Sequence, residues 1–375
     1  MSVIGSTTLV FSEEQAMILD VAREFCRDQS DITAVRAQLE SPDGFDPGVW
    51  QQMVALGWAG IALPERVGGA GLGMAAVVPV LESMGRALLG GPLMSTALAG
   101  QLVLRAAGEE QDELLSAIAA GQPATIAWLD NHDWGSAGIQ CELDANGVLQ
   151  GRKQQVMDAA GAEWFLVVAQ QAGEPVLAVL PASAVAADAR RDCILIDQTR
   201  RAQTIDFTGI AVASTAVLKG PQVAAALRDV RLLGALLVAA ESGGSAASCL
   251  DTTVDYLKTR KQFGKLIGSY QALKHPCVDI LVAVDSTRSF VYHAASLLDD
   301  GPLSRDAEIG CRMAKAQATE TLKYAGDRAI QFHGGMGFTY ECDAQLYVRR
   351  AQWAQQQFGD AQHQRKQLAH LLLDA

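Results

Sequence analysis

The sequence predicts a mostly α-helical protein with a central β domain. Apolar side chains recur at helical spacing through residues 12–120, and the same pattern returns after Pro221. Between these stretches, residues 124–218 carry short apolar runs separated by Gly, Asn and Pro, which is typical of strands and hairpins. We therefore expect three domains, namely an N-terminal helical domain over residues 1–121, a middle β domain over 122–219 and a C-terminal helical domain over 220–375.

The N-terminal domain starts with a helix signal. Ser12 is a favourable N-cap, and Glu13 and Glu14 suit a first helical turn because its free amides carry partial positive charge. Apolar residues then recur at helical spacing from Ile18 to Cys26. Turn-forming residues break the pattern at 41–44 and 64–73, and further helices are predicted over residues 74–89, 94–107 and 109–120.

The middle and C-terminal domains follow from the same kind of pattern. Residues 164–169 and 176–180 are apolar runs of strand length, and the Gly-Glu-Pro sequence at 173–175 predicts a hairpin turn between them. After residue 221 the sequence predicts long helices over residues 222–259, 270–298 and 306–332, and a last helical segment after residue 339.

Composition excludes several classes of function. The chain has 375 residues, of which 49% are apolar and 19% charged, so it can bury a large core. Its net charge of −12, without any Lys/Arg-rich run, argues against binding to nucleic acid or to an anionic membrane surface. The longest apolar run, from Leu232 to Ala240, is far shorter than the roughly 20 residues that span a bilayer. These features predict a soluble acidic enzyme.

The cysteine and histidine residues predict neither disulfides nor a metal site. The seven cysteines are widely spaced, and no pair has the C-x-x-C spacing of a zinc or redox motif. This pattern, together with an N-terminus that lacks a signal peptide, favours the reducing cytoplasm and buried free thiols. His275, His293 and His333 are too scattered for a set of metal ligands.

Two short motifs carry the strongest functional signal. The first is Arg260-Lys261-Gln262-Phe263-Gly264, with Gln271 shortly after it, and the second is residues 331–339, QFHGGMGFT. An arginine offers a planar set of donors to pyrophosphate oxygens, and paired glycines let backbone amides approach a phosphate closely. Each motif by itself could equally be a helix terminator with a capping side chain. Both motifs together predict a dinucleotide site.

In this order, in a helical C-terminal domain, the motifs resemble those of acyl-CoA dehydrogenases. The stretch GWAGIALPE at residues 57–65, followed by GGAG at 68–71, is similar to that family's N-terminal signature loop. The resemblance implies a helical domain, a β-barrel domain and a four-helix bundle, with FAD bound between two subunits of a tetramer. The residues that would clasp the FAD of a neighbouring subunit are Arg260, Gln262, Phe263, Gln271, Gln331, Gly334 and Gly335.

The sequence departs from the family where the flavin ring and the catalytic base are expected. The family's β domain places a Thr-Glu-Pro segment and a Trp-Ile-Thr or Trp-Ile-Ser segment against the flavin. Here the first region contains residues 127–130, AWLD, and the second contains residues 153–157, KQQVM. The family's common glutamate base precedes a Gly-Thr pair, and at that place this chain has Phe358 followed by Gly359 and Asp360.

Glu241 is the best remaining candidate for the base. Leu233, Leu237 and Glu241 lie on one apolar stripe of a predicted helix, and burial would raise the pKa of the carboxyl group toward neutrality. Some members of the family place their base on this helix about two turns earlier, where Gly234 stands. The alternative is a structural glutamate that pairs with an arginine of a packed helix, and Asp360 is a weaker third candidate for the base. Two more glycines, at 243 and 244, predict that another part of the chain approaches this helix closely.

Two hypotheses of function follow. The first is an FAD-dependent acyl-CoA dehydrogenase that desaturates an acyl-CoA thioester between the α and β carbons, with Glu241 as base and an electron-transfer flavoprotein or similar protein as acceptor. The second is a non-catalytic subunit that completes the FAD site of a sister chain. The departures resemble the short subunits of bacterial heteromeric acyl-CoA dehydrogenases of steroid side-chain degradation. A steroid-derived acyl group, a branched chain and an ordinary fatty acyl chain all remain open as substrates. Both homo- and hetero-oligomers remain open, and an acyl-CoA oxidase is a distant third possibility.

Overall fold

The computed structural model describes residues 13–107, 111–135 and 138–373, and it confirms the helical, β and helical order. The N-terminal part holds six helices. Asp31 and Asp46 cap two of them, because their carboxylates accept the free amides of Ala34 and Gly48 at 2.8 and 2.7 Å. The predicted cap Ser12 lies outside the described residues. The helices are α1 (Glu13–Gln29), α2 (Ile32–Gln38), α3 (Pro47–Ala55), α4 (Val77–Arg86), α5 (Leu93–Ala107) and α6 (Asp112–Ala119).

The middle part forms two sheets. The predicted hairpin is confirmed: β5 and β6 pair in antiparallel fashion from Trp164 opposite Pro181 to Gln171 opposite Glu174. The larger sheet has the order β3-β2-β5-β6-β9 with β1 parallel to β5, and the smaller one has the order β4-β8-β7. The strands are β1 (Ala124–Ala127), β2 (Glu142–Leu143), β3 (Leu149–Gln150), β4 (Arg152–Met157), β5 (Trp164–Gln171), β6 (Glu174–Pro181), β7 (Arg190–Asp192), β8 (Ala202–Asp206) and β9 (Val217–Leu218).

The described C-terminal residues form three long helices, as predicted, and a short hairpin follows the first of them. The predicted last segment is two helices rather than one, because Phe358 and Gly359 both have positive φ, which breaks a helix. The elements are α7 (Pro221–Thr259), β10 (Lys261–Gln262), β11 (Lys265–Leu266), α8 (Gln271–Ser296), α9 (Arg305–His333), α10 (Ala344–Gln356) and α11 (Ala361–Leu373).

Helices α4 and α7 cross at glycine contacts. A Cβ atom at Gly85 would overlap the backbone of Glu241, and one at Gly244 would overlap the carbonyl group of Glu82. Ser245 reinforces the crossing by donating its hydroxyl to the carbonyl oxygen of Gly85 at 2.8 Å. The close approach that the glycines of α7 predicted is therefore confirmed, and it joins the N-terminal helices to the C-terminal bundle.

One apolar core extends through helices of both ends of the chain and the inner face of the larger sheet. The β strands also enclose a core of their own, in which Phe165 and Phe207 pack edge to face at 6.0 Å. In the described part of the chain, no helix combines the length and hydropathy that crossing a membrane requires. All seven thiols are free; the predicted burial holds for Cys26, Cys141, Cys249 and Cys311 but is wrong for the half-buried Cys193, Cys277 and Cys342.

Candidate functional site

The structure brings the two predicted FAD motifs together at one end of the C-terminal bundle. Leu257 of α7, Ile267 after the hairpin and Phe332 of α9 form a small apolar cluster beneath them. Beside this cluster the rings of Tyr256 and His333 stack with their centroids 4.1 Å apart. This packing positions the end of α9 against the end of α7, so residues about 70 positions apart in the sequence become neighbours.

The side chains of the first motif project into solvent from a tight hairpin. Arg260 ends α7, and its carbonyl oxygen accepts the amide of Ile267 at 2.9 Å, which closes the hairpin. Phe263 and Gly264 form the turn, with φ angles of 52° and 74°. This conformation matches the two-residue turns that connect antiparallel strands. The Phe263 ring is 88% exposed, and Arg260 and Gln262 are exposed as well.

The remaining predicted FAD-binding residues of the two motifs are also exposed to solvent. Gln271 at the start of α8 and Gln331 near the end of α9 are exposed. Gly334 has a φ of 60°, and a Cβ atom at Gly334 or Gly335 would meet nothing within 4 Å. The uncovered backbone and the donors of Arg260 therefore suit the pyrophosphate and adenosine of FAD. No second wall from the described residues covers this surface.

The two segments expected beside the flavin ring pair with each other instead. The amide of Gln154 donates to the carbonyl oxygen of Leu129 at 2.7 Å. Lys153 is fully buried, and its Nζ lies 2.8 Å from the Asp130 carboxylate and 3.2 Å from the carbonyl oxygen of Trp128. Burial lowers the pKa of Lys153, and the ion pair with Asp130 opposes that effect. These side chains hold the β domain together and do not present the hydroxyl and indole groups that the family places at its flavin.

The two positions where the family places its base contact each other. A Cβ atom at Gly234 of α7 would overlap the ring of Phe358 from the segment between α10 and α11. Phe358 is 9% exposed, and its ring packs on Trp134 with a centroid separation of 4.4 Å and edge to face on Trp128 at 6.5 Å. A glycine and a phenylalanine thus stand at the two positions where the resemblance led us to expect a base, and neither side chain can accept a proton.

This aromatic cluster of Trp128, Trp134 and Phe358 borders a cavity of about 40 Å³. The cavity is also lined by Gln155 and Met157 of β4, which belong to the segment whose sequence differs from the family pattern. Its volume holds one or a few water molecules but no acyl chain. The side chains of this cluster therefore leave no room for an acyl chain in this cavity.

Glu241, the predicted base, lies in a buried network of ions. It is 1% exposed, and its Oε1 accepts hydrogen bonds from Arg200, just before β8, and from Arg350 of α10. Arg350 also binds the Asp197 carboxylate and the Thr199 hydroxyl. This is the arrangement of the structural alternative, a glutamate paired with an arginine of a packed helix. The assignment of Glu241 as base stays a prediction, and this geometry does not favour it.

The network joins the β domain to both helical parts. Asp158, which follows β4, accepts the hydroxyl of Ser95 from α5. Burial raises the pKa of Asp158, whereas at Asp197 the neighbouring Arg350 and Thr199 outweigh burial and lower the pKa. Burial and Arg350 together lower the pKa of Arg200 to about 10. Sequence analysis missed every member except Glu241, because residues 197–200 lie in a loop without periodic pattern.

Asp360, the third candidate for the base, caps α11. Its carboxylate accepts the amide of His363 at 2.7 Å, and its side chain is exposed. Among residues 13–107, 111–135 and 138–373, no group of three His, Cys, Asp or Glu side chains could hold a metal ion.

Comparison with known proteins identifies the family. The sequence models of the acyl-CoA dehydrogenase N-terminal and C-terminal domains match residues 12–122 and 224–373. The chain therefore belongs to the acyl-CoA dehydrogenase family, oxidoreductases that act on CH–CH groups, and the resemblance seen in its motifs is confirmed. Members of this family are flavoproteins.

Individual relatives narrow the comparison. The chain is 32% identical to the acyl-CoA dehydrogenase IpdE2 of Mycolicibacterium smegmatis, over 95% of this chain and 98% of the relative. It is 30% identical to IpdE2 of Mycobacterium tuberculosis over 90% and 91% of the two chains. Among solved structures, a chain of the Tcur3481–Tcur3483 steroid acyl-CoA dehydrogenase has a TM-score of 0.83 and 26% identity, covering 98% and 99%. A chain of the ChsE4–ChsE5 complex of M. tuberculosis has a TM-score of 0.86 at 22% identity, covering 98% and 100%, which shows a shared fold.

Proposed function

We propose that this chain is the cofactor-completing subunit of a hetero-oligomeric, FAD-dependent acyl-CoA dehydrogenase. In this proposal a sister chain supplies the base and the face of the flavin ring. This chain supplies Arg260, Gln262, Phe263, Gln271, Gln331, Gly334 and Gly335 to the pyrophosphate and adenosine of the sister's FAD. The observation that carries the proposal is the contact between Gly234 and Phe358, which fills the position of the base with groups that cannot take a proton.

The β domain supports the same proposal. Gln154 and Gln155, which stand in the segment expected at the flavin, line a crevice of about 670 Å³ on the smaller sheet. Three carboxylates, those of Asp188, Asp192 and Asp206, line the same crevice. Carboxylates repel a pyrophosphate, and the two arginines that accompany them do not give the crevice an excess of positive charge. The open surface around Arg260 suits the cofactor better, because Arg260 and the uncovered backbone at Gly334 and Gly335 lie there together.

The chemistry divides between the chains. Bound FAD would supply the acceptor for the hydride of the thioester's β-carbon, and a base of the sister chain would take the α-proton. Arg260 holds the negative pyrophosphate through its planar fork, and the backbone at Gly334 and Gly335 accepts close approach of the adenosine. The proposed substrate is a steroid-derived or branched acyl-CoA, which the named steroid acyl-CoA dehydrogenase among the similar structures supports. An electron-transfer flavoprotein is the proposed acceptor, and the proposed location is the cytoplasm.

Flavin content tests the proposal directly. The chain purified alone should be colourless, whereas the complex with its sister chain should contain one FAD per pair of chains, measured by absorbance and light scattering. Arg260→Ala should lower the flavin content of the complex, and Arg27→Ala, an equal loss of charge at an exposed site of α1, should not. A monomer that retains one FAD per chain and turns over acyl-CoA would refute the proposal and restore the first hypothesis, with Glu241 as base.

A further inference from the structure

The segment that carries the glycine pair at 334–335 is held by few apolar contacts. No side chain of residues 334–341 is buried, and the Phe338 ring is 77% exposed. The backbone of Gly337 rests on α9, where a Cβ atom would overlap the carbonyl oxygen of Ile330. Ordering a backbone costs conformational entropy, and in this segment little buried surface offsets that cost. The order of the segment therefore depends on polar contacts from other parts of the chain.

Arg36 of α2 supplies such contacts from the N-terminal part. Its Nη1 donates to the carbonyl oxygen of Tyr340 at 2.9 Å, and its Nη2 donates to the carbonyl oxygen of Glu341 at 3.0 Å. Its Nε and Nη2 also donate to the Asp343 carboxylate, at 3.2 and 2.6 Å, where α10 begins. The planar guanidinium thus fixes three acceptors relative to one another at the end of the segment.

Helix α2 gives Arg36 a fixed base. Val35 is buried and lies in the same apolar cluster as Leu346 of α10. Just beyond α2, the guanidinium of Arg201 donates to three carbonyl oxygens within residues 38–41. Because these contacts hold both α2 and the turn after it, the Arg36 side chain starts from a backbone that cannot shift freely.

The Tyr340 side chain adds a weaker link to the β domain. Its hydroxyl donates to Oε1 of Gln198 at 2.7 Å, and its ring centroid lies 5.8 Å from the guanidinium carbon of Arg349. Tyr340 is exposed, whereas Arg36 and Asp343 are each half-buried. Water competes less for a half-buried contact, so Arg36 is the stronger of the two anchors.

We propose that Arg36 is a positioning residue for the FAD-binding surface, an inference that rests on the proposed function. Arg36 acts through the segment that it anchors, and it keeps the backbone at Gly334 and Gly335 ordered before the cofactor of the sister chain arrives. Glycine has more conformational freedom to lose than any other residue. A surface that is already ordered binds more tightly than one that must be ordered on binding.

The affinity for FAD tests the proposal, measured by fluorescence titration of the complex with the sister chain. Arg36→Ala should weaken the affinity about ten-fold, comparable to the loss of one charge-assisted hydrogen bond. Arg66→Ala is the matched control and should leave it unchanged, because Arg66 forms a similar half-exposed pair with Asp112 outside the FAD-binding surface. Arg36→Lys keeps the charge but not the fork, so it should restore part of the affinity.

Hydrogen exchange on the same complex separates positioning from a general loss of stability. In Arg36→Ala, the amides of residues 336–343 should exchange faster than in the wild type. The amide of Ile267, which donates to the carbonyl oxygen of Arg260 in the neighbouring hairpin, should keep its rate. The melting temperature should fall no further than in Arg66→Ala.

Three results would overturn the inference. If Arg260→Ala weakens FAD binding and Arg36→Ala does not, Arg36 has no positioning role and the proposed function still stands. If exchange becomes faster throughout the chain in Arg36→Ala and the melting temperature falls well below that of Arg66→Ala, the role of Arg36 is only structural. If neither Arg260→Ala nor Arg36→Ala changes the affinity for FAD, the inference and the proposed function are both wrong.

Discussion

Replacing Glu241 with Gln separates a structural role from a catalytic one. Gln keeps the shape of the side chain but removes the charge that Arg200 and Arg350 share. Removal of one partner of a buried ion pair costs about 3–5 kcal/mol, since a charge is left uncompensated in a medium of low polarity. The 375 residues imply an unfolding entropy of about 0.8 kcal/mol/K, so the melting temperature should fall by about 4–6 °C if the chain unfolds cooperatively.

Two measurements on the same variant test this reasoning. Calorimetry should show the lower melting temperature for Glu241→Gln. The control Glu320→Gln should shift the free energy of unfolding by less than about 0.5 kcal/mol, because the ion pair of Glu320 with Arg365 is exposed. Stopped-flow reduction of flavin in the assembled complex should stay within a few-fold of the wild type. An unchanged melting temperature together with flavin reduction slowed by about 10² or more would refute the structural role and identify Glu241 as the base.

Three further predictions follow from other parts of the structure. Arg260→Ala should weaken the affinity of the complex for FAD by about 1.5–3 kcal/mol, because a charge-assisted contact is lost, and an unchanged affinity in fluorescence titration would contradict the role of Arg260. Gly244→Ala should destabilise the fold by about 1–3 kcal/mol in denaturant titration, since α4 leaves no room for a methyl group, whereas Gly138→Ala, in open space, should not. Burial lowers the pKa of Lys315 to about 7 from an ordinary 10.5, so the unfolding free energy of the wild type should rise between pH 7 and 9, and this rise should be absent in Lys315→Met.

Much of the fold is predictable because its signals are local. The helix over residues 222–259 follows from a long apolar periodicity, and the structure has α7 at Pro221–Thr259. The glycines at 243 and 244 signal a close approach, since few other reasons place them inside a helix. The break at Phe358 was missed because a left-handed phenylalanine is rare and leaves no compositional trace.

The buried network shows what sequence patterns do not contain. Asp197 and Arg350 are 153 residues apart in the sequence. Their contact depends on how the loop before β8 packs on α10, which no single segment encodes. The aromatic cluster is similar: the sequence shows that Phe358 cannot be a base, but the fact that its ring occupies the space above Gly234 requires the packing of two distant segments.

That packing couples the residues at positions 234 and 358 to each other. The Phe358 ring lies where a side chain at position 234 would stand, so a glutamate at 234 requires a smaller residue at 358. Two hydrogen bonds also fix the backbone of the Phe358 segment. Lys315 donates to the carbonyl oxygen of Gly359 at 2.9 Å, and Gln364 donates to the carbonyl oxygen of Phe358 at 2.7 Å. A single substitution at 234 would therefore meet a fixed ring rather than an open pocket. The packing of Phe358 on Gly234 is thus stabilised by several contacts, and the proposal that this chain completes a sister chain's FAD site rests on that packing together with the exposure of Arg260.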